Sequence, residues 1–207
     1  MLDTDAIIWS APERERGKRP LLVLMHGYGS HEGDLFGMSP ALPLAPVIAS
    51  LRAPIPENGG WAWFSRADNA LGEPYPEFVD AAAGLVLDWL DTLEYTTVSL
   101  LGFSQGAAVA LQLNRAAPGR FAATVSLSGF VASGVHVGDA ELERLRPPVF
   151  WGRGTADTMI PAASVDRAAA WLPNHSTATI HIYEELGHAI SPQELKDFSV
   201  FLHDSLK

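Results

Sequence analysis

Six runs of apolar and β-branched residues constrain the fold of this chain more than any other feature. PLLVLMHG (20–27), PVIASLRAP (46–54), TVSLLGF (97–103), ATVSLSG (123–129), PVFWGRG (148–154) and TATIHIYE (177–184) are nearly continuous in apolar character. A strand with one face in water alternates apolar and polar residues, whereas a strand covered on both faces does not. These runs therefore predict buried strands. IIWS (7–10) is a weaker candidate, an edge strand joined through the turn ERERGKRP.

Helical patterns lie between the runs. Phe78, Ala82, Leu85, Val86, Trp89 and Leu93 recur at helical spacing, with Pro76 near the first turn. A second helix is predicted over about 104–116, stopped by Pro118-Gly119, and a third over about 164–171. The last opens with Ser191-Pro192-Gln193-Glu194, a capping box with Pro at its first position, and presents Leu195, Phe198 and Leu202 to a core. Strands alternating with helices imply parallel pairing and a three-layer α/β sandwich. No repeat or low-complexity linker interrupts the 207 residues, so 1–207 is expected to form one domain.

Composition narrows the partners. The net charge is −10, and the only cluster of basic residues falls between Arg14 and Arg19. Polyanion binding needs a basic footprint, so no nucleic acid and no anionic membrane is expected as a partner. The chain has no cysteine, which excludes thiolate metal sites, disulfide scaffolds and a cysteine nucleophile together. MLDTDAIIWS carries acids where an export signal needs bases, and AAAGLVLDWL is broken by Asp88. A cytoplasmic protein without stable membrane insertion is the expectation.

In parallel α/β sheets chemistry gathers at the carboxyl ends of strands. At one such end LLGFSQGAAVAL (100–111) places Ser104 in G-x-S-x-G spacing, after a strand and before a helix. A turn this sharp needs tiny neighbours, which Gly102 and Gly106 supply, and it exposes the hydroxyl at a helix N-terminus. A serine hydroxyl becomes a nucleophile only beside a base. Of the seven histidines, His188 in LGHAISP falls after the last strand and before the capped helix, where that base would stand. Asp157 in GTADTMIP follows the preceding strand and would fix the imidazole tautomer; its alternative reading is a turn or cap residue. Asp139 and Asp166 are weaker rivals, one deep in a long connection and one inside a helix.

Acyl transfer also needs two N–H donors for the developing oxyanion. Gln105, following the serine, would give one backbone N–H, and MHGYGS (25–30) would give the other through Tyr28. That loop is no phosphate cradle, because no Lys-Ser/Thr pair follows it. His26, His31 and Asp34 match no standard metal spacing, so no metal is expected.

HGYGS, GFSQG, GTADTMIP and LGHAI, in this order within so compact a chain, resemble the small carboxylesterase/acyl-protein thioesterase branch of the α/β-hydrolases, the phospholipase/carboxylesterase family. GGWAWFS at 59–65 is similar to a stretch of that branch. The resemblance implies an α/β-hydrolase fold, Ser104 as nucleophile, His188 as base and then acid, and Asp157 as its orienter. It implies oxyanion N–H groups on Tyr28 and Gln105, and no cofactor. Two positions depart from the family: Tyr28 stands where leucine is common, and Trp151 where a histidine often precedes the acid's loop.

The expected substrate is a small-molecule ester of short to medium acyl chain, cleaved through an acyl-enzyme. Trp63, Phe64, Phe130, Met159 and Ile160 are the candidates for an apolar acyl groove, with Trp61 read equally as core. Residues 129–146 leave no room for a large cap domain. A thioesterase or lysophospholipase would use the same machinery, and a lactonase the same fold. A non-catalytic binding protein of this fold would lack a member of the triad.

Overall fold

A computed structural model describes residues 1–43, 45–66 and 72–206. The chain runs β1 (Ile8–Trp9), β2 (Leu21–Met25), α1 (Gly33–Phe36), β3 (Val47–Leu51), β4 (Ile55–Glu57), β5 (Gly60–Ala62), α2 (Pro76–Leu90) and β6 (Val98–Phe103). It continues through α3 (Gln105–Ala116), β7 (Phe121–Leu127), α4 (Asp139–Leu145), β8 (Pro148–Gly154), α5 (Ala162–His175), β9 (Thr177–Tyr183) and α6 (Pro192–Ser205). Seven strands form one sheet in the order β1-β3-β2-β6-β7-β8-β9. Only β1, against β3, is antiparallel; the other pairings of this sheet are parallel.

Every residue of β2 and β3 is buried, as strands covered on both faces require, whereas β9, expected from its apolar run to be buried, is the last strand of the sheet and has no buried residue. On one face Val23, Met25 and Leu100 pack with Val86 of α2 and Val109 of α3. On the same side Leu111 of α3 joins Trp151, Ala168 and Leu172, which brings α5 into that layer. On the other face Leu22, Leu24, Leu101 and Val125 pack with Phe198 and Leu202 of α6. The result is the three-layer α/β sandwich, and the 129–146 connection carries a single seven-residue helix, α4, and no large cap.

Four further local features differ from the sequence patterns. α2 buries Val79, Ala82, Ala83, Val86, Trp89 and Leu90, while Phe78 is 42% exposed, its ring edge-on to Tyr75. The apolar stripe is thus turned by about one residue from the expected one. α5 continues through Pro173 to His175, held past the proline by the Ser176 N–H and hydroxyl, which both donate to the Leu172 carbonyl at its end. The stretch 55–62 forms a hairpin whose two-residue loop, Asn58-Gly59, has both φ values positive (56° and 77°). That is the backbone of a type I′ turn, for which Asn-Gly is the preferred pair.

The fourth concerns the cap of α6. Ser191 accepts the Glu194 N–H at 3.0 Å, with Pro192 at the first position. Glu194 does not return the bond. Its side chain turns inward against Gly152, 1% exposed, and neither carboxyl oxygen has a hydrogen-bond partner among the described residues. Burial pushes this carboxyl up to about 7, against the Ser191 contact that lowers it and with the Asp197 charge that adds to the rise.

A raised carboxyl contributes stability that is fully present below its unfolded value of 4.5 and is lost as pH climbs through about 7. Above that pH the folded chain carries an unpaired buried charge. Glu194→Gln should therefore gain on the wild type by on the order of 2–3 kcal/mol between pH 5 and pH 8. Urea unfolding at both pH values measures this, and parallel pH dependences of the two proteins would refute the assignment.

Candidate active site

The strand register sets the rim from which the site is built. Met25 pairs with Gly102, Gly102 with Ser126, and Ser126 with Trp151, so β2, β6, β7 and β8 end at nearly the same height. Backbone bonds then stitch the departing loops together. Ser104 N–H donates to the Leu127 carbonyl and Ser128 N–H to that of Gly152, both at 2.8 Å. Thr155 N–H donates to the Tyr183 carbonyl at 2.9 Å.

Ser104 lies between β6 and α3 with φ 54° and ψ −116°, a conformation that L-residues rarely adopt. Its two glycines are required by close approach. A Cβ on Gly102 would overlap the Gly106 carbonyl and lie 2.6 Å from the Ala107 Cα; one on Gly106 would overlap the Met25 carbonyl and lie 2.6 Å from the His26 oxygen. Gly27 faces the serine from the other side, with its Cβ position 3.5 Å from the Ser104 Cβ. The elbow is thereby wedged between α3 and the loop after β2.

His188, on the loop between β9 and α6, reaches into this wedge. Its Nε2 lies 2.8 Å from the Ser104 Oγ and its Nδ1 2.8 Å from the Asp157 Oδ2. An ionised carboxylate only accepts, so Nδ1 carries the proton and Nε2 is left to accept from the serine hydroxyl. The Phe103 ring packs 4.9 Å from the imidazole, centroid to centroid. Asp157 also accepts from the Met159 N–H at 2.9 Å. Burial alone would push this carboxyl up. The hydrogen bond and charge of His188, the Met159 amide and the Ser128 hydroxyl outweigh burial and hold it below the usual carboxylate range. Ser128, buried at φ 46°, is a supporting residue that the sequence reading missed; its place just past β7, before Gly129, was the available signal.

The rival residues lie elsewhere. Asp139 pairs with Arg115 through two bonds of 2.8 Å, and Asp166 lies exposed on α5. His26 is buried with both ring nitrogens on backbone groups: Nδ1–H donates to the Gly27 carbonyl and Nε2 accepts the Ala53 N–H. Burial holds it below the usual histidine value, so it stays neutral. Among the described residues no three His, Asp or Glu side chains gather to hold a metal.

Around the serine, Gln105 turns its side chain away. Its Oε1 accepts the Trp63 N–H and its Nε2 donates to the Phe64 carbonyl, at 2.8 and 2.6 Å. The backbone N–H of Gln105 stands at the free N-terminus of α3, and among the described residues the Tyr28 N–H has no acceptor. The five groove candidates divide. Trp63, Phe64, Phe130 and Ile160 are buried in the core on the α2/α3 face, and the Trp63 indole donates to the His26 carbonyl. Met159 alone is exposed, at 44%. Trp63 and Phe64 also border a groove of about 300 Å³ with Pro54, Ile55, Phe78 and Leu85. Trp61 is partly buried beneath the Arg52 guanidinium.

The sequence pattern of the phospholipase/carboxylesterase family matches residues 10–206. Acyl-protein thioesterase 1 of Kluyveromyces lactis is 26% identical over 210 residues, covering 90% of this chain and 92% of its own. The Bacillus cereus carboxylesterase superposes with a TM-score of 0.80 at 20% identity, over 96% of this chain and 93% of its own, a likeness of fold. Esterase PE8 superposes with a TM-score of 0.70 at 28% identity, over 91% and 93%.

The wedge makes a direct prediction. Gly106→Ala should destabilise the protein by about 3 kcal/mol or more, since the methyl meets backbone that cannot rotate away. Gly84→Ala, on the same scale of change but with open space around it, should be neutral or mildly stabilising. Equal melting temperatures for the two variants would disprove the close packing at the elbow.

Proposed function

The chain belongs to the phospholipase/carboxylesterase family, and from that premise we propose how its residues carry out the hydrolysis of esters. Ser104 attacks the substrate carbonyl carbon while its hydroxyl proton passes to the His188 Nε2. Asp157 stabilises the imidazolium and keeps its Nδ1–H in place. The oxyanion of the tetrahedral intermediate is met by the backbone N–H groups of Tyr28 and Gln105. Collapse of the intermediate expels the alcohol, which takes the proton from His188 and leaves an acyl-Ser104 ester. Water then attacks that ester by the same route, releasing the carboxylic acid and restoring the serine. The proton is conserved over the cycle, and no step draws on a metal or an organic cofactor.

The observation that carries this reading is the continuous relay from Asp157 through His188 to Ser104, with both contacts at 2.8 Å. A sheltered relay is also a strong one: Ser104 is 6% exposed, and a low local dielectric strengthens each hydrogen bond in it. The approach of Gly27 to Ser104 supports Tyr28 as the second donor, because it brings that loop's backbone to the serine.

We take the substrates to be carboxylic esters of short to medium acyl chain. The 129–146 connection carries no large cap, and of the five candidate apolar side chains only Met159 is exposed while Trp63 and Phe64 border a small groove, which among the described residues offers a long chain little to grip. A thioester would follow the same steps, and the name of the Kluyveromyces lactis relative favours it as a second reading. The same proposal takes 1–207 as one catalytic domain in the cytoplasm, a compartment compatible with a cysteine-free chain, with no nucleic-acid partner at a charge of −10.

A fluorophosphonate probe should label the wild type on one serine and leave Ser104→Ala unlabelled. Labelling of that variant at full stoichiometry would end the proposal. Asp157→Asn should fold normally yet lose about 10⁴-fold in kcat. Across p-nitrophenyl esters and matched acyl thioesters, kcat/KM should peak at short to medium chains; a sharp maximum at long acyl chains would contradict this substrate class.

A further inference from the structure

We propose that Glu57 is a positioning residue for this reaction, holding the Tyr28 backbone N–H at its working distance from Ser104 by gripping the Tyr28 side chain. The inference rests on the proposed role of Tyr28 as an oxyanion donor. Such a donor works only if it is fixed before the charge develops.

Residues 26–30 form a loop, and its anchors fall on either side of Tyr28. His26 ties the upstream end to the Ala53 N–H. Downstream, the Gly29 N–H donates to the Trp61 carbonyl and the Trp61 N–H to the Ser30 carbonyl, both at 2.9 Å. The hairpin is pressed so close there that a Cβ on Gly60 would overlap the Gly29 carbonyl. The Tyr28 N–H itself has no acceptor among the described residues, as an oxyanion donor requires. Tyr28 is only partly buried and lies outside the hydrophobic core, so apolar packing does not fix it.

What fixes Tyr28 is Glu57, the last residue of β4. The phenol donates to the Glu57 Oε1 at 2.9 Å, and the same oxygen accepts the Arg66 N–H at 3.0 Å. The Ser65 hydroxyl bonds to this carboxylate as well. Burial would push the Glu57 carboxyl up, but these hydrogen bonds and the Arg66 charge outweigh it and keep it ionised. The Arg66 guanidinium lies 5.0 Å from the centre of the Tyr28 ring and offsets the carboxylate's charge near the site. One carboxylate thus joins the loop after β2, the Asn58-Gly59 hairpin and the segment that follows β5.

The test is a steady-state comparison of Tyr28→Phe, Glu57→Ala and Glu57→Gln with p-nitrophenyl butyrate. Tyr28→Phe and Glu57→Ala should each lower kcat about 30-fold, short of the 10²–10³ that deleting a donor costs. KM should stay within about twofold, since the ground state does not use the donor fully. The double variant should lose no more than either single one, because both break the same link. Glu57→Gln keeps an acceptor for the phenol and should recover most of the rate. Unchanged kcat in Tyr28→Phe, additive losses, or a loss confined to KM would overturn the role of Glu57. Ser104→Ala, run in parallel, separates this from the reading beneath it. If that variant is inactive while the Glu57 variants keep full kcat, only the positioning role falls; if it retains turnover, the serine mechanism falls too.

Discussion

The site depends on one backbone conformation, that of Ser104 at φ 54° and ψ −116°. A non-glycine residue held there costs of order 1–3 kcal/mol, and it persists only where its surroundings leave no alternative. Here three constraints act together. The Ser104 N–H is bonded to the end of β7, Gly102 and Gly106 allow α3 to press against β6 and β2, and Gly27 closes the remaining side. Relaxing the serine would pull α3 off the sheet and expose Ala108, Val109 and Leu113, all fully or almost fully buried. The hydrophobic core therefore maintains the strain that presents the hydroxyl.

From that point the site is assembled by polar contacts between loops that are distant in sequence. Asp157 and His188 arrive on successive connections after β8 and β9. Their own backbones are tied, since the Ala156 N–H donates to the Leu186 carbonyl at 3.0 Å. A Cβ on Gly154 would overlap that same carbonyl, so the glycine lets the two loops lie side by side. On the opposite flank the segment that follows the hairpin is joined to the elbow by the Gln105 side chain and to the loop after β2 by Trp63. Each reacting group is thus bordered by a neighbour that packing or a backbone bond holds still.

Much of this was legible in the sequence because burial leaves a local trace. Continuous apolar runs marked five buried strands, while the sixth, β9, forms as a strand but lies at the sheet edge with Ile180 and Ile182 40% and 49% exposed; G-x-S-x-G marked the elbow, whose glycines answer to contacts within a few residues. His188 and Asp157 could be proposed because topology puts strand ends on one rim. The β4–β5 hairpin was missed although Asn58-Gly59, flanked by Glu57 and Gly60, is a strong local signal for it. Helix α4 left less to see, since only one apolar residue of its seven, Leu142, is buried. The groove candidates expose a different limit. Trp63, Phe130 and Met159 are alike in composition-level terms, yet the first two are 2% exposed and the third 44%. Hydrophobicity reports that a side chain avoids water, and only the fold decides whether protein or substrate covers it.

The same division explains why the supporting polar residues were the hardest to anticipate. Ser128, Glu57 and Gln105 act through partners roughly thirty or more positions away in the chain, with no periodicity to announce them. Each satisfies backbone or side-chain groups that irregular segments leave unpaired, and an unpaired group in a closed site costs about 1–3 kcal/mol. Loops that carry chemistry lack the hydrogen-bond ladder of a helix or strand, so side chains must complete it. In this chain the scaffold is written as local apolar pattern and the precision of the site as long-range polar pairing. The second kind of information becomes readable only once the first has folded.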